Sequence, residues 1–131
     1  MSARFDLVTL DARNAEALVL FWSRALELVV TETEDDGRWT VLGDADSSRR
    51  LGIQRVHETE SGPAAVWAGP TKARVHLDLS CEIDEFNDEV DRLLGLGAVR
   101  LRDDRVESYG AIATLADPEG NIFDLCAYGG V

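Results

Sequence analysis

Residues 74–80, RVHLDLS, bring together the first side chains able to act as a group in acid, base or ligand chemistry. Alternation at period two sends Val75, Leu77 and Leu79 to one face of a strand and His76, Asp78 and Ser80 to the other. An imidazole and a carboxylate two residues apart on one strand face can hydrogen-bond to each other or face a ligand together. Nucleophilic chemistry finds no comparable arrangement. Ser23 and Ser80 lack a strained turn, and neither Cys81 nor Cys126 sits beside a helix N-terminus. The two cysteines form no metal-type pair and read as free thiols. His57 falls in a polar connector, where exposure is the default.

The elements around these residues follow from patterning. FDLVTL at residues 5–10 suits a mostly buried strand, with Asp11 and Asn14 supplying turn and N-cap chemistry. From Ala15 to Leu28, Leu18, Phe21, Trp22, Ala25 and Leu26 recur at helical steps and predict an amphipathic helix. Strands are expected at about 28–34, 38–42 and 50–56, with Asp35-Asp36-Gly37 as a hairpin turn. A Gly/Pro-rich connector over about 58–72 divides a first module (about 4–57) from a second (about 73–128). The second module reads as the RVHLDLS strand, a helix from an Asp84 cap to about Leu96 ended by Gly95 or Gly97, and strands at about 99–102, 111–115 and 122–127. Asp117-Pro118-Glu119-Gly120-Asn121 makes the last turn. Arg105 and Tyr109 fall in the loop before the penultimate strand.

Both halves therefore read βαβββ, the pattern of an internal duplication. Placing Leu7 beside His76 aligns the first strands at an offset of 69, and placing Gln54 beside Asp124 aligns the last strands at an offset of 70.

With 131 residues, 45% apolar and 29% charged, the chain can bury a core of its own, so disorder and fibrous repeats are excluded. A formal net charge of −12 repels polyphosphate and anionic membranes, which argues against nucleic acid as a partner. There is no signal-like N-terminus and no apolar run long enough to span a bilayer, so a cytoplasmic location and no membrane association are expected.

Phe21-Trp22-Ser23-Arg24-Ala25-Leu26, LGIQRV at residues 51–56, KARVHLDL at 72–79, the Gly95-Leu96-Gly97-Ala98 helix end and ADPEGNIFDL at 116–125 occur together and in this order. The combination resembles the vicinal oxygen chelate superfamily of glyoxalases, bleomycin-resistance proteins and extradiol dioxygenases, and within it the small glyoxalase-like domains. The resemblance spans nearly the whole chain. It implies an α+β fold in which two βαβββ modules form curved mixed sheets around a ligand cleft, and it implies a homodimer.

Metal-dependent members place one ligand on the first and one on the last strand of each module, which here means Leu7, Gln54, His76 and Asp124. His76 and Asp124 have the chemistry of divalent-metal ligands; Gln54 offers a weaker amide oxygen, and Leu7 offers nothing. The expected cofactor is accordingly either none or a divalent ion such as nickel, zinc, manganese or iron. The resemblance marks Gln54, His76, Asp78, Asp124 and Trp39 as cleft residues and Asp124 as the catalytic carboxylate, either a ligand or a general base. Without a metal, His76 would pair with Asp124 or Asp78, and Asp124 with His76 or Arg74. Two functions follow from the resemblance: a protein that binds a small molecule without catalysis, or a metal-assisted lyase, isomerase or dioxygenase.

Overall fold

In the computed structural model of the protein, the Asn14 side chain accepts a hydrogen bond from the Ala17 amide at 3.1 Å and starts helix α1 (Ala15–Ala25). This is the N-cap chemistry expected of Asn at that position. Residues 3–46, 48–57 and 75–128 are described. They fall in two compact units, Met1–Pro63 and Ala64–Val131. The connector expected over 58–72 and the side chain of Arg74 lie outside the described residues.

The first unit places α1 between β1 (Val8–Ala12) and β2 (Val29–Glu34), followed by β3 (Trp39–Gly43) and β4 (Arg50–Arg55). The sheet order is β1-β4-β3-β2, with β1 parallel to β4 and the remaining pairs antiparallel. Leu18, Phe21, Trp22 and Ala25 form the buried stripe of α1, and Leu42, Leu51 and Ile53 are buried on the sheet. Trp22 is fully buried and meets Phe21 edge to face, with ring centroids 5.0 Å apart. Asp35, Asp36 and Gly37 all take positive φ in the turn between β2 and β3, a conformation that Gly and Asp accept more readily than bulky residues. The first strand begins later than expected and takes in Asp11, because the β1 ladder with β4 runs to Ala12 and Arg55.

The second unit contains β5 (Leu77–Glu82), α2 (Phe86–Leu96), β6 (Val99–Arg100), β7 (Arg105–Glu107), β8 (Gly110–Ala116) and β9 (Ile122–Tyr128). Its core order is β5-β9-β8, with β6 and β7 both hydrogen-bonded to β8. Phe86, Val90 and Leu93 of α2 are buried, as are Leu115, Phe123 and Leu125 of the sheet. Each such apolar side chain contributes about 1.5–3 kcal/mol by leaving water.

Three local expectations need correction. Asp84 does not cap α2: Ile83–Glu85 form a 3-10 turn, whose Ile83 carbonyl accepts from the Phe86 amide, so the helix starts at Phe86 without a side-chain cap. The strand expected at 99–102 stops at Arg100, whose guanidinium turns to Asp104 at 3.1 Å, while the Leu101 amide still donates to the Thr114 carbonyl. The chain then rejoins β8 as β7, so Arg105 lies in a strand and not in a loop. Both sheets mix parallel and antiparallel strands with one helix each, which is an α+β fold. Among the described residues no helix is long and apolar enough to cross a membrane.

Candidate functional site

The strand pairing of the second unit decides which polar groups meet. In the parallel β5–β9 ladder Asp78 stands directly opposite Asp124, and in the antiparallel β8–β9 ladder Thr114 stands opposite Asp124. Side chains directly across a ladder share a face. His76, two residues before Asp78, falls on that same face. The opposite face carries Leu115, Phe123 and Leu125, which are buried.

His76 Nε2 lies 3.2 Å from Asp78 Oδ1 and 3.6 Å from Asp124 Oδ2. Thr114 Oγ1 donates to the other oxygen, Asp124 Oδ1, at 2.6 Å. The hydroxyl therefore fixes one carboxylate oxygen and leaves the second directed at the imidazole. Exposure rises across the group, from 19% for the Asp124 side chain to 43% for His76 and 64% for Asp78, so the cluster opens outward from a half-buried base. Nothing in the sequence had marked Thr114. The only available signal was a lone hydroxyl among the apolar residues of AIATLA.

One donor atom from each of His76, Asp78 and Asp124 can be chosen so that all lie within 4.8 Å of one another. Nitrogen and oxygen donors held about 2.1 Å from one divalent ion lie about 3.0–3.4 Å apart at octahedral to tetrahedral angles. The two distances from His76, 3.2 and 3.6 Å, fall close to that range, and all three donors lie within 4.8 Å of one another. A mixed imidazole and carboxylate set suits zinc, manganese, iron or nickel.

The first unit repeats the geometry with different chemistry. Asp11, Gln54 and Trp39 form one row across β1, β4 and β3, as Asp78, Asp124 and Thr114 do across β5, β9 and β8. Gln54 and Trp39 are both half-buried. The ring of Trp39 covers Gly52, where an added Cβ would lie 2.6 Å from Trp39 Cη2, 2.8 Å from Thr9 Oγ1 and 3.1 Å from Leu7 Cδ1. Leu7 and Thr9 thus border the same face. The pairing also corrects the alignment of the first strands. If Gln54 corresponds to Asp124, then Asp11 corresponds to Asp78, and the counterpart of His76 is Thr9, not Leu7.

Neither thiol is prepared for attack. Burial is the largest influence raising Cys126 above the ordinary thiol range; the Asp78 and Asp124 charges add to it, while the Tyr128 hydrogen bond and Arg105 act the other way. Burial likewise raises Cys81, helped by Glu89, Glu85 and Glu82. Both are free cysteines.

Residues 7–126 match the model of a family described as a glyoxalase-like domain. Among solved structures, the chain is similar to a glyoxalase/bleomycin resistance protein/dioxygenase family enzyme from Burkholderia phytofirmans PsJN. The TM-score is 0.72 at 17% identity, over 95% of this chain and 98% of that one. It is also similar to a mutant of the fosfomycin resistance protein FosX from Listeria monocytogenes, complexed with Mn(II) and 1S,2S-dihydroxypropylphosphonic acid. There the TM-score is 0.72 at 13% identity, over 98% of this chain and 93% of that one. A protein from Agrobacterium tumefaciens, ATC0852, gives 0.69 at 19% identity, over 98% and 99% of the two chains. No curated protein matches. At these identities the likeness establishes the fold alone.

Proposed function

From the chain's membership of the glyoxalase-like domain family, within the vicinal oxygen chelate superfamily, we propose that it binds a small oxygen-rich molecule on the polar face of the second sheet, beside a divalent ion held by His76, Asp78 and Asp124. The observation that carries this reading is the convergence of an imidazole and two carboxylates from two adjacent strands within 4.8 Å. Asp78 supplies a third donor beside His76 and Asp124. The similar FosX structure holds Mn(II) and a diol, which supports the choice of metal and of ligand chemistry.

A bound divalent ion would act as a Lewis acid on the ligand's oxygens. Asp124, held through Oδ1 by Thr114, turns Oδ2 toward the site, where it would either hold the ion or, without one, serve as the general base. His76 orients between Asp78 and Asp124 and sets the polarity of the site's mouth. If catalysis accompanies binding, the chemistry is that of a lyase, isomerase or dioxygenase acting on adjacent oxygens. Gln54 and Trp39 line the equivalent face of the first sheet, where an amide can orient a ligand by donating and accepting and an indole can stack on it. A homodimer and a cytoplasmic location belong to the same proposal; light scattering on the purified protein tests the dimer.

A second reading is favoured by the 3.2 Å approach of His76 to Asp78, which satisfies both groups without an ion. The site then binds its ligand by hydrogen bonding alone. Calorimetric titration of metal-stripped protein with Mn(II), Zn(II), Ni(II) and Fe(II), with thermal stability followed in parallel, separates the readings. Micromolar binding that His76→Ala abolishes supports the metal site. No saturable binding by any of the four ions overturns it in favour of the metal-free reading.

A further inference from the structure

Arg105 shares the polar face of the second sheet with the His76 cluster. It pairs with Ile112 across β7 and β8, and Ile112 pairs with Cys126 across β8 and β9. Thr114 and Asp124 form the next row of that face, two residues along. With strands about 4.8 Å apart and about 3.3 Å of rise per residue, the Arg105 backbone stands about 12 Å from that of Asp124. Arg105 and Asp124 therefore stand about a small molecule's length apart on one face, with Ile112 and Cys126 between them. The influence of the Arg105 charge on the Cys126 thiol is consistent with a guanidinium lying toward β9. Beyond Cys126 on the same face, Tyr128 lies beside Tyr109, with ring centroids 6.3 Å apart.

The Arg105 Nε atom is buried and has no hydrogen-bond partner. Among the described residues no ion pair involves Arg105. Arg49, Arg50, Arg92 and Arg100 each pair with a carboxylate. Among the described residues, Arg105 Nε is the one buried side-chain nitrogen or oxygen left without a hydrogen-bond partner, in a chain with 25 acidic and 13 basic residues. Withdrawing a single N–H donor from water without giving it an acceptor is costly, and an acceptor oxygen brought to it by a ligand offsets that cost. Arginine's planar fork matches a carboxylate, phosphonate or phosphate with two parallel hydrogen bonds.

The geometry points to Arg105 as the anion-recognising residue of this face, pairing with the oxyanion of a small molecule whose other end lies at His76, Asp78 and Asp124. This rests on the reading that the polar face of the second sheet is the ligand face. It narrows the ligand class to small acids that carry their charge several bonds from the oxygens at the His76 end.

The test uses the full-length, metal-free, 15N-labelled chain with inorganic phosphate as probe and choline chloride at matched ionic strength as control. The Arg105 Nε–Hε resonance, assigned by its loss in Arg105→Gln, is expected to shift saturably with phosphate and not with the control. Binding followed at the Ile112 and Cys126 amides should weaken at least tenfold in Arg105→Gln and recover in part in Arg105→Lys, which keeps the charge. An unmoved Arg105 resonance, or equal affinity in wild type and Arg105→Gln, overturns the assignment. A separate Zn(II) titration read at the His76 ring keeps the two claims apart. Loss of metal binding with a responsive Arg105 removes the metal reading alone; metal binding with a silent Arg105 removes this one alone.

Discussion

Thr114 donates a 2.6 Å hydrogen bond to Asp124 Oδ1 across the β8–β9 ladder, and this contact determines which oxygen of Asp124 faces His76. Thr114 is itself buried, so its hydroxyl has few alternatives. Thr114→Val keeps the shape and removes the donor. Metal affinity measured by calorimetry is expected to fall about 10- to 100-fold, the usual effect of losing a group that orients a ligand. Unchanged affinity would show that Asp124 is held by something other than Thr114.

Gly52 is required by Trp39. In Gly52→Ala the new methyl would lie 2.6 Å from the indole and 2.8 Å from the Thr9 hydroxyl, so the ring must move. Overpacking of this kind costs about 1–3 kcal/mol. Denaturant melts should show that loss, together with a changed tryptophan emission. Trp39→Leu in the Gly52→Ala background should recover part of the stability, and failure to do so would place the strain elsewhere.

Asp117 holds the turn that delivers β9 to its register. It is almost fully buried, and its carboxylate accepts from the Glu119 amide, the Asn121 amide and the Asn121 side chain at 2.8–3.1 Å. Asp117→Ala leaves these donors unsatisfied and is expected to cost about 2–3 kcal/mol in a chemical melt. Asp117→Asn, which keeps one acceptor oxygen, should lose less. Equal stability of wild type and Asp117→Ala would refute the role given to this turn.

The raised thiols predict an alkaline loss of stability. A folded-state value above the unfolded one keeps Cys126 and Cys81 protonated in the native chain while the unfolded chain ionises. Their contribution is therefore complete below the ordinary thiol range and declines as pH climbs through it toward the raised values. Urea midpoints measured from pH 7 to 10 should fall more steeply for wild type than for Cys81→Ala/Cys126→Ala. Parallel curves would contradict the shifts. At pH 7 both thiols should react slowly with a disulfide reagent.

Much of the fold is written in local pattern. Asn14 and the stripe of Leu18, Phe21, Trp22 and Ala25 announce α1, because capping and helical period act over a few residues. Alternation in RVHLDLS puts His76 and Asp78 on one face for the same reason. The 3-10 turn before α2 and the break between β6 and β7 were not legible. They depend on the Ile83 carbonyl and the Arg100–Asp104 pair meeting partners that no propensity specifies.

The candidate site divides along the same line. By itself the sequence determined a strand–helix–strands order for each half, with the second sheet carrying one short strand, β7, more than expected. It also determined the polar face of β5 and the donor chemistry of His76 and Asp124, since side-chain chemistry and period two are local properties. Only the tertiary structure decided that Asp78 stands opposite Asp124, that Thr114 holds that carboxylate, and that Thr9 and not Leu7 is the counterpart of His76. The physical reason is strand register. A slide of two residues preserves every inside-outside assignment in a strand, so alternation cannot detect it, and only the hydrogen-bonded ladder fixes which side chains meet.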